Sequence, residues 1–154
     1  MASIRRWGIV AGGAVAGVIL VATGLAIGRF VLMPELALLP PESGSPGVVP
    51  PLVFQFATGF VVVWVYVGFR PRFGAGRRSM VAASAAVWLA RSAAILTFTT
   101  LYGVLSSLTI SLLVVLSLIE LTVACFAGAE IYRRHSAAIT RRRGRQVDAA
   151  DASS

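Results

Sequence analysis

The sequence has no lysine, one cysteine, one histidine and only six acidic residues in 154. Each scarcity excludes a chemistry. The single cysteine, Cys125, can form no intramolecular disulfide and no paired-thiol centre; within an apolar run it reads as a small packing residue. One cysteine and one histidine, His135, cannot supply the ligand set of a zinc site or a bis-histidine haem site. No metal and no cofactor is therefore expected. Of the acids, Glu35 and Glu42 fall in a proline-rich segment, Glu130 sits beside Arg133 and Arg134, and Asp148 and Asp151 close the chain. That leaves Glu120 alone in apolar sequence. Acid/base chemistry by two carboxylates inside a membrane is excluded, and no catalytic residue and no enzyme activity is expected.

What fills the chain instead is apolar sequence, with 57% hydrophobic and 13% charged residues and a mean hydropathy of +0.84. A soluble domain of this size is far more polar. In lipid, every backbone N–H and C=O must be satisfied within a helix or a closed barrel, and long unbroken apolar runs select the helix. The expected fold is all-α and polytopic, with four transmembrane helices in two antiparallel hairpins. They are placed at about residues 8–33, 51–69, 80–102 and 108–132, within a transmembrane domain spanning 1–132. The first run is too long for the apolar region of a signal peptide, about 7–15 residues, and is read as a retained helix.

Six of the seven prolines lie between residues 34 and 51. Proline lacks the amide proton a helix needs, so residues 34–50 are expected to be a loop. A second loop, residues 70–79, contains Pro71, expected to stop the helix before it, and Gly74 and Gly76. The tail, residues 133–154, is polar and is expected to be disordered apart from a short helical extension.

The basic residues are all arginine, and their positions explain the net charge of +8. Twelve of the fourteen fall at residues 5–6, 70–78 and 133–145, whereas the first loop has only acids. Arginine enriched in alternate connections marks the cytoplasmic side. Both termini are thus expected in the cytoplasm of a bacterial inner membrane, with the arginine clusters meeting anionic headgroups rather than nucleic acid.

Gly13, Gly17, Gly24 and Gly28 recur on one face of the first helix and read as a helix-packing stripe, either within the chain or toward a second copy. Ala124 and Gly128 continue a small-residue face from Glu120 in the last helix. Gln55 is the polar residue of the second helix expected to face the bundle.

Two residues stand out. Arg91 and Glu120 each lie alone in a long apolar segment, where a lipid-facing charge costs roughly 2.5–3.5 kcal/mol or more. From Met80 to Arg91, and from Ile131 back to Glu120, the count is the same eleven residues, about 16 Å at the helical rise. Antiparallel neighbours bring equal depths together, so the two are expected to form an intramembrane pair.

The stretch VWVYVGFRPRFGAGRRSM, then AASAAVWLA, and the ending IELTVACFAGAEIYRR resemble a group of small uncharacterised bacterial integral membrane proteins. Those proteins have an Arg-Pro-Arg-Phe-Gly loop after a second helix and a Glu in the last. The resemblance covers about residues 54–134 and implies four transmembrane helices, without an activity. The expected function is a structural or interaction component, a tetraspan bundle that assembles with itself or with a larger membrane partner. The alternative is a small proton- or cation-coupled transporter or channel subunit using Glu120.

Overall fold

The computed structural model of the chain describes residues 2–36, 49–74, 76–102 and 105–151. Nearly all of them form helices: α1 (Ala2–Ile27), one π-helical turn (Gly28–Leu32), a short α2 (Met33–Leu36), α3 (Val49–Phe73), α4 (Arg77–Tyr102) and α5 (Ser107–Asp151). Four spans are long and apolar enough to cross a membrane: Trp7–Leu32, Pro51–Phe73, Arg77–Thr97 and Ser107–Ala138. The all-α, four-helix architecture expected from composition is the one present.

The helices run alternately up and down. Along α1, Gly13 faces Phe60, Gly17 faces Phe56 and Gly24 faces Gln55, so α1 and α3 are antiparallel. Gly8 meets Tyr132 and Gly12 meets Gly128, so α1 and α5 are antiparallel too. Each helix packs on its neighbours in the ring α1, α3, α4, α5, with a smaller contact of α3 on α5 across the middle. Arg70, Arg72, Arg77, Arg78, Arg133 and Arg134 all come to the end of the bundle where α1 begins.

Close approach comes from α1, which carries two adjacent stripes of small residues. Gly13 and Gly17 lie under α3; Gly12 and Ala16 lie under α5 and Gly128. A Cβ on Gly12 would sit 2.5 Å from the Gly128 carbonyl oxygen, and one on Gly59 would run into the backbone of Gly17 and Ala16. Lipid offers no hydrophobic drive between helices, so backbone-to-backbone dispersion contact is what draws them together. Toward the arginine-rich end Val62, Val63, Tyr66, Ala124 and Cys125 are fully buried and close that half of the core.

Four expectations are corrected. Gly28 does no packing: nothing lies within 4 Å of where its Cβ would be, because the helix enters its π turn there and Met33 donates its amide to the Gly28 carbonyl. Pro34 does not end the first helix, which continues through α2 to Leu36; the widened turn before the proline accommodates a residue with no amide proton to donate. The remainder of the expected first loop, residues 37–48, lies outside the described residues. Pro71 does not stop α3, which runs two residues further. The stop is Gly74, whose φ of 79° and amide bond to the Arg70 carbonyl at 2.9 Å make a left-handed helix cap that glycine adopts without strain. Finally, α5 continues as helix through the expected tail to Asp151. Alanine and arginine, which dominate that segment, are strong helix formers, and Glu130 ties down the start with Arg133 at 3.3 Å and Arg134 at 3.0 Å.

A candidate polar centre inside the bundle

The bundle brings together one residue from each of four spans. From α4, Arg91 reaches across so that its Nη1 lies 3.5 Å from Oε2 of Glu120 on α5. The Glu120 side chain is 2% exposed and that of Arg91 13%. From α1, the hydroxyl of Thr23 lies 2.7 Å from the other carboxylate oxygen, Oε1. From α3, Gln55 completes the surround of a cavity of about 80 Å³ whose wall also includes Gly24 and Ser117. The cavity continues past Ile27, Leu32 and Leu113, toward the end of the bundle that lacks the arginine clusters.

Local sequence explains each placement. Ser117, Glu120, Ala124 and Gly128 recur at helical spacing and are all buried, so the small-residue face that lets α5 approach α1 also carries the acid inward. Gly24 has no side chain, which admits Gln55: a Cβ there would stand 2.5 Å from Nε2 of the amide. Trp88 donates its indole N–H to the Val114 carbonyl at 2.9 Å, pinning α4 to α5. Cys125 is buried and its Sγ lies 3.5 Å from the Met80 carbonyl, in the closed half, away from this centre.

Thr23 has more acceptors than protons. Its hydroxyl oxygen is 2.8 Å from the Ile19 carbonyl, 3.3 Å from that of Leu20 and 2.7 Å from Glu120. A hydroxyl has one proton to give. If it goes to Ile19, as threonines in helices ordinarily arrange, the contact with Glu120 is complete only when the carboxyl itself holds a proton and donates it. If it goes to Glu120, the carboxylate is charged and Arg91 is its counter-ion. The geometry accommodates both.

Three polar atoms around the cavity have no hydrogen-bond partner among the described residues: Gln55 Oε1, Arg91 Nη1 and Glu120 Oε2. The ion pair at 3.5 Å is a Coulomb contact longer than a hydrogen bond. On the outer side of Arg91, between α3 and α4, lies a second and larger space of about 400 Å³, lined by Pro51, Phe54, Gln55, Arg91, Ala94 and Ile95. Arg91 and Gln55 thus form the partition between an inner polar cavity and an outer, largely apolar groove.

The structure places the residues singled out in the sequence as follows. Arg91, Glu120 and Gln55 come together. Gly13, Gly17, Gly24, Ala124 and Gly128 serve helix contacts, and Gly28 does not. Arg29 is exposed on the turn after α1. Sequence reasoning missed Thr23: no pattern distinguishes a threonine that reaches across to another helix from those, such as Thr58 and Thr122, that bond only their own helix. Among the described residues no group of three histidine, cysteine or acidic side chains is placed to hold a metal ion. Compared with family models, curated proteins and solved structures, the chain finds no match, and its function has to be argued from the bundle and its polar centre.

Proposed function

We propose that the chain is an interaction or assembly component of a bacterial inner membrane, with both termini in the cytoplasm. The observation that carries this reading is how the intramembrane charges are used. Arg91, Glu120 and Thr23 join three helices at one level, and a buried pair in that role specifies register more than it adds stability. Fully buried residues seal the arginine-rich half below, which suits a bundle better than an open pore. With its small-residue faces occupied within the chain, the surface left for a partner is the apolar outer face, where Phe54, Trp64 and Leu89 are exposed.

Mild-detergent extraction of the tagged full chain, followed by native electrophoresis and mass spectrometry, tests this. A discrete complex larger than one chain is expected. A monomer free of any stoichiometric partner, with Arg91→Ala and Glu120→Ala leaving assembly and expression unchanged, would sink the proposal.

One observation favours a second reading, a proton- or cation-coupled subunit. Glu120 borders a cavity that extends toward one end of the bundle, and an ionisable residue so placed marks an ion pathway in many membrane proteins. Proton flux in reconstituted vesicles that vanishes in Glu120→Gln is its expected signature.

A further inference from the structure

We propose that Glu120 binds a proton and that its protonation releases Arg91 to hold the carboxylate of an amphipathic monoanion in the groove between α3 and α4. This goes beyond the assembly reading and does not depend on it: partner capture tests one, and proton counting the other.

The first step is the count of protons at Thr23. With Glu120 charged, Thr23 must turn its only proton away from Ile19, 2.8 Å distant, to serve the carboxylate. With Glu120 neutral, the carboxyl O–H donates to Thr23 and Thr23 donates to Ile19, so every short contact has its own proton. The site therefore has two hydrogen-bonded arrangements that differ by one proton.

The second step concerns Arg91. In the neutral arrangement its counter-charge is gone. The elements packed around Glu120 offer no replacement among the described residues: α1 presents Thr23 and Gly24, α3 presents Gln55 and α5 presents Ser117. A guanidinium stays charged at any working pH, and a buried charge without a partner is strongly unfavourable. Something anionic has to meet it.

The groove supplies the place and the chemistry. It is of ligand size, about 400 Å³, and its walls are Pro51, Phe54, Ala94 and Ile95, with Gln55 and Arg91 the two polar groups. Sites of this kind, apolar with a few fixed polar groups, suit small amphiphiles. A carboxylate matches the fork of a guanidinium with two parallel hydrogen bonds, and Nη1 of Arg91, held to Glu120 by the 3.5 Å ion pair alone, makes no hydrogen bond among the described residues. The charge must be single. Among the described residues Arg91 is the one cation lining the groove, and a doubly charged phosphate ester would bring a second negative charge that none of them balances.

The exchange conserves charge. Before it, Glu120 carboxylate and Arg91 cancel. After it, neutral Glu120 sits beside an Arg91–carboxylate pair, and one proton has entered with each anion. No covalent bond in the ligand changes.

The test uses decanoate and the full chain in an uncharged detergent, with calorimetry in buffers of different ionisation enthalpy. Wild type is expected to take up one proton per decanoate bound, and its affinity to fall about tenfold per pH unit above the Glu120 titration. Glu120→Gln, locked neutral, is expected to bind at least tenfold more tightly at about pH 8, without pH dependence. Arg91→Gln should lose binding, as should the double variant Arg91→Gln with Glu120→Gln, in which no buried charge is left unpaired to disturb folding. Decanol, which has the same apolar body and no charge, should not compete. Proton-neutral binding in wild type, unchanged affinity in Glu120→Gln, or equal binding of decanol would each overturn the proposal.

Discussion

At the scale of single residues, removing half of the ion pair differs sharply from removing all of it. Glu120→Ala leaves Arg91 inside the bundle without a counter-charge, and Arg91→Ala does the same to Glu120; either is expected to cost about 3–5 kcal/mol. Replacing both by apolar residues of similar size, Arg91→Met with Glu120→Leu, removes the charges together, and stability should return to within about 1–2 kcal/mol of wild type. Reversible unfolding in mixed micelles, analysed as a double-mutant cycle, checks this; additive single effects would mean that the pair is not coupled. Thr23→Val keeps the shape of the side chain but gives Glu120 no hydroxyl. Hydrogen bonds between membrane helices average about 0.6 kcal/mol and reach about 1.7, so a loss in that range is expected by the same measurement. The pair itself was legible in the sequence, because a charge in an apolar run is expensive and equal depth in antiparallel neighbours is simple counting. Thr23 was not, since threonine satisfies itself within its own helix and its reach to Glu120 depends on how closely α1 and α5 approach.

At the scale of helices, glycine is informative only where another backbone is near. Gly12 and Gly59 touch backbone on the neighbouring helix, which cannot move aside as a flexible side chain can. Gly12→Ala and Gly59→Ala are each expected to destabilise the bundle by about 1–3 kcal/mol. Gly68, within α3, has open space where a methyl would stand, with nothing within 4 Å, so Gly68→Ala should be neutral or stabilise by up to about 1 kcal/mol through helix propensity. Thermal unfolding of the three variants in one detergent separates the classes; a loss at Gly68 equal to that at Gly12 would refute the assignment of the seam. Spacing alone selected Gly13, Gly17, Gly24 and Gly28 but omitted Gly12, because a stripe four residues apart reveals a face and not which neighbour it meets. The two stripes of α1 differ by one residue and serve two different helices. Gly28 satisfied the spacing and failed in the fold, since the π turn carries it out of register. The end of α3 was misjudged for a related reason: proline near a helix end loses little, so Pro71 is tolerated until Gly74 turns the chain.

At the scale of the whole molecule, the bundle is electrically lopsided. Arg70 and Arg72 in the last turn of α3, Arg77 and Arg78 in the first turn of α4, and Arg133 and Arg134 in α5 gather at the end where α1 begins, while the polar cavity extends toward the other end. The number of helices and this asymmetry were readable at once, because apolar run length and arginine placement follow from the cost of moving groups through hydrocarbon. The order of helices in the ring was not, because α1, with two small-residue faces, could have packed against any pair. If the arginine-rich end faces the cytoplasm, as the positive-inside rule requires, the cavity at Glu120 is reached from the opposite side. That orientation yields a prediction for the intact membrane. A fluorescent protein fused after Ser154 should fold and fluoresce in the cytoplasm, and alkaline phosphatase inserted after Gly44 should be active on the far side. The reverse pattern would place the arginine clusters outside, against their electrostatic preference, and would turn the Glu120 cavity toward the cytoplasm. Exchanging Arg70, Arg72, Arg77 and Arg78 for asparagine, with three arginines added to residues 42–45, moves the bias and should shift a measurable share of chains to the inverted pattern. If topology stayed unchanged in that variant, the arginine distribution would not be what orients this bundle, and some other feature, such as the long α5, would have to.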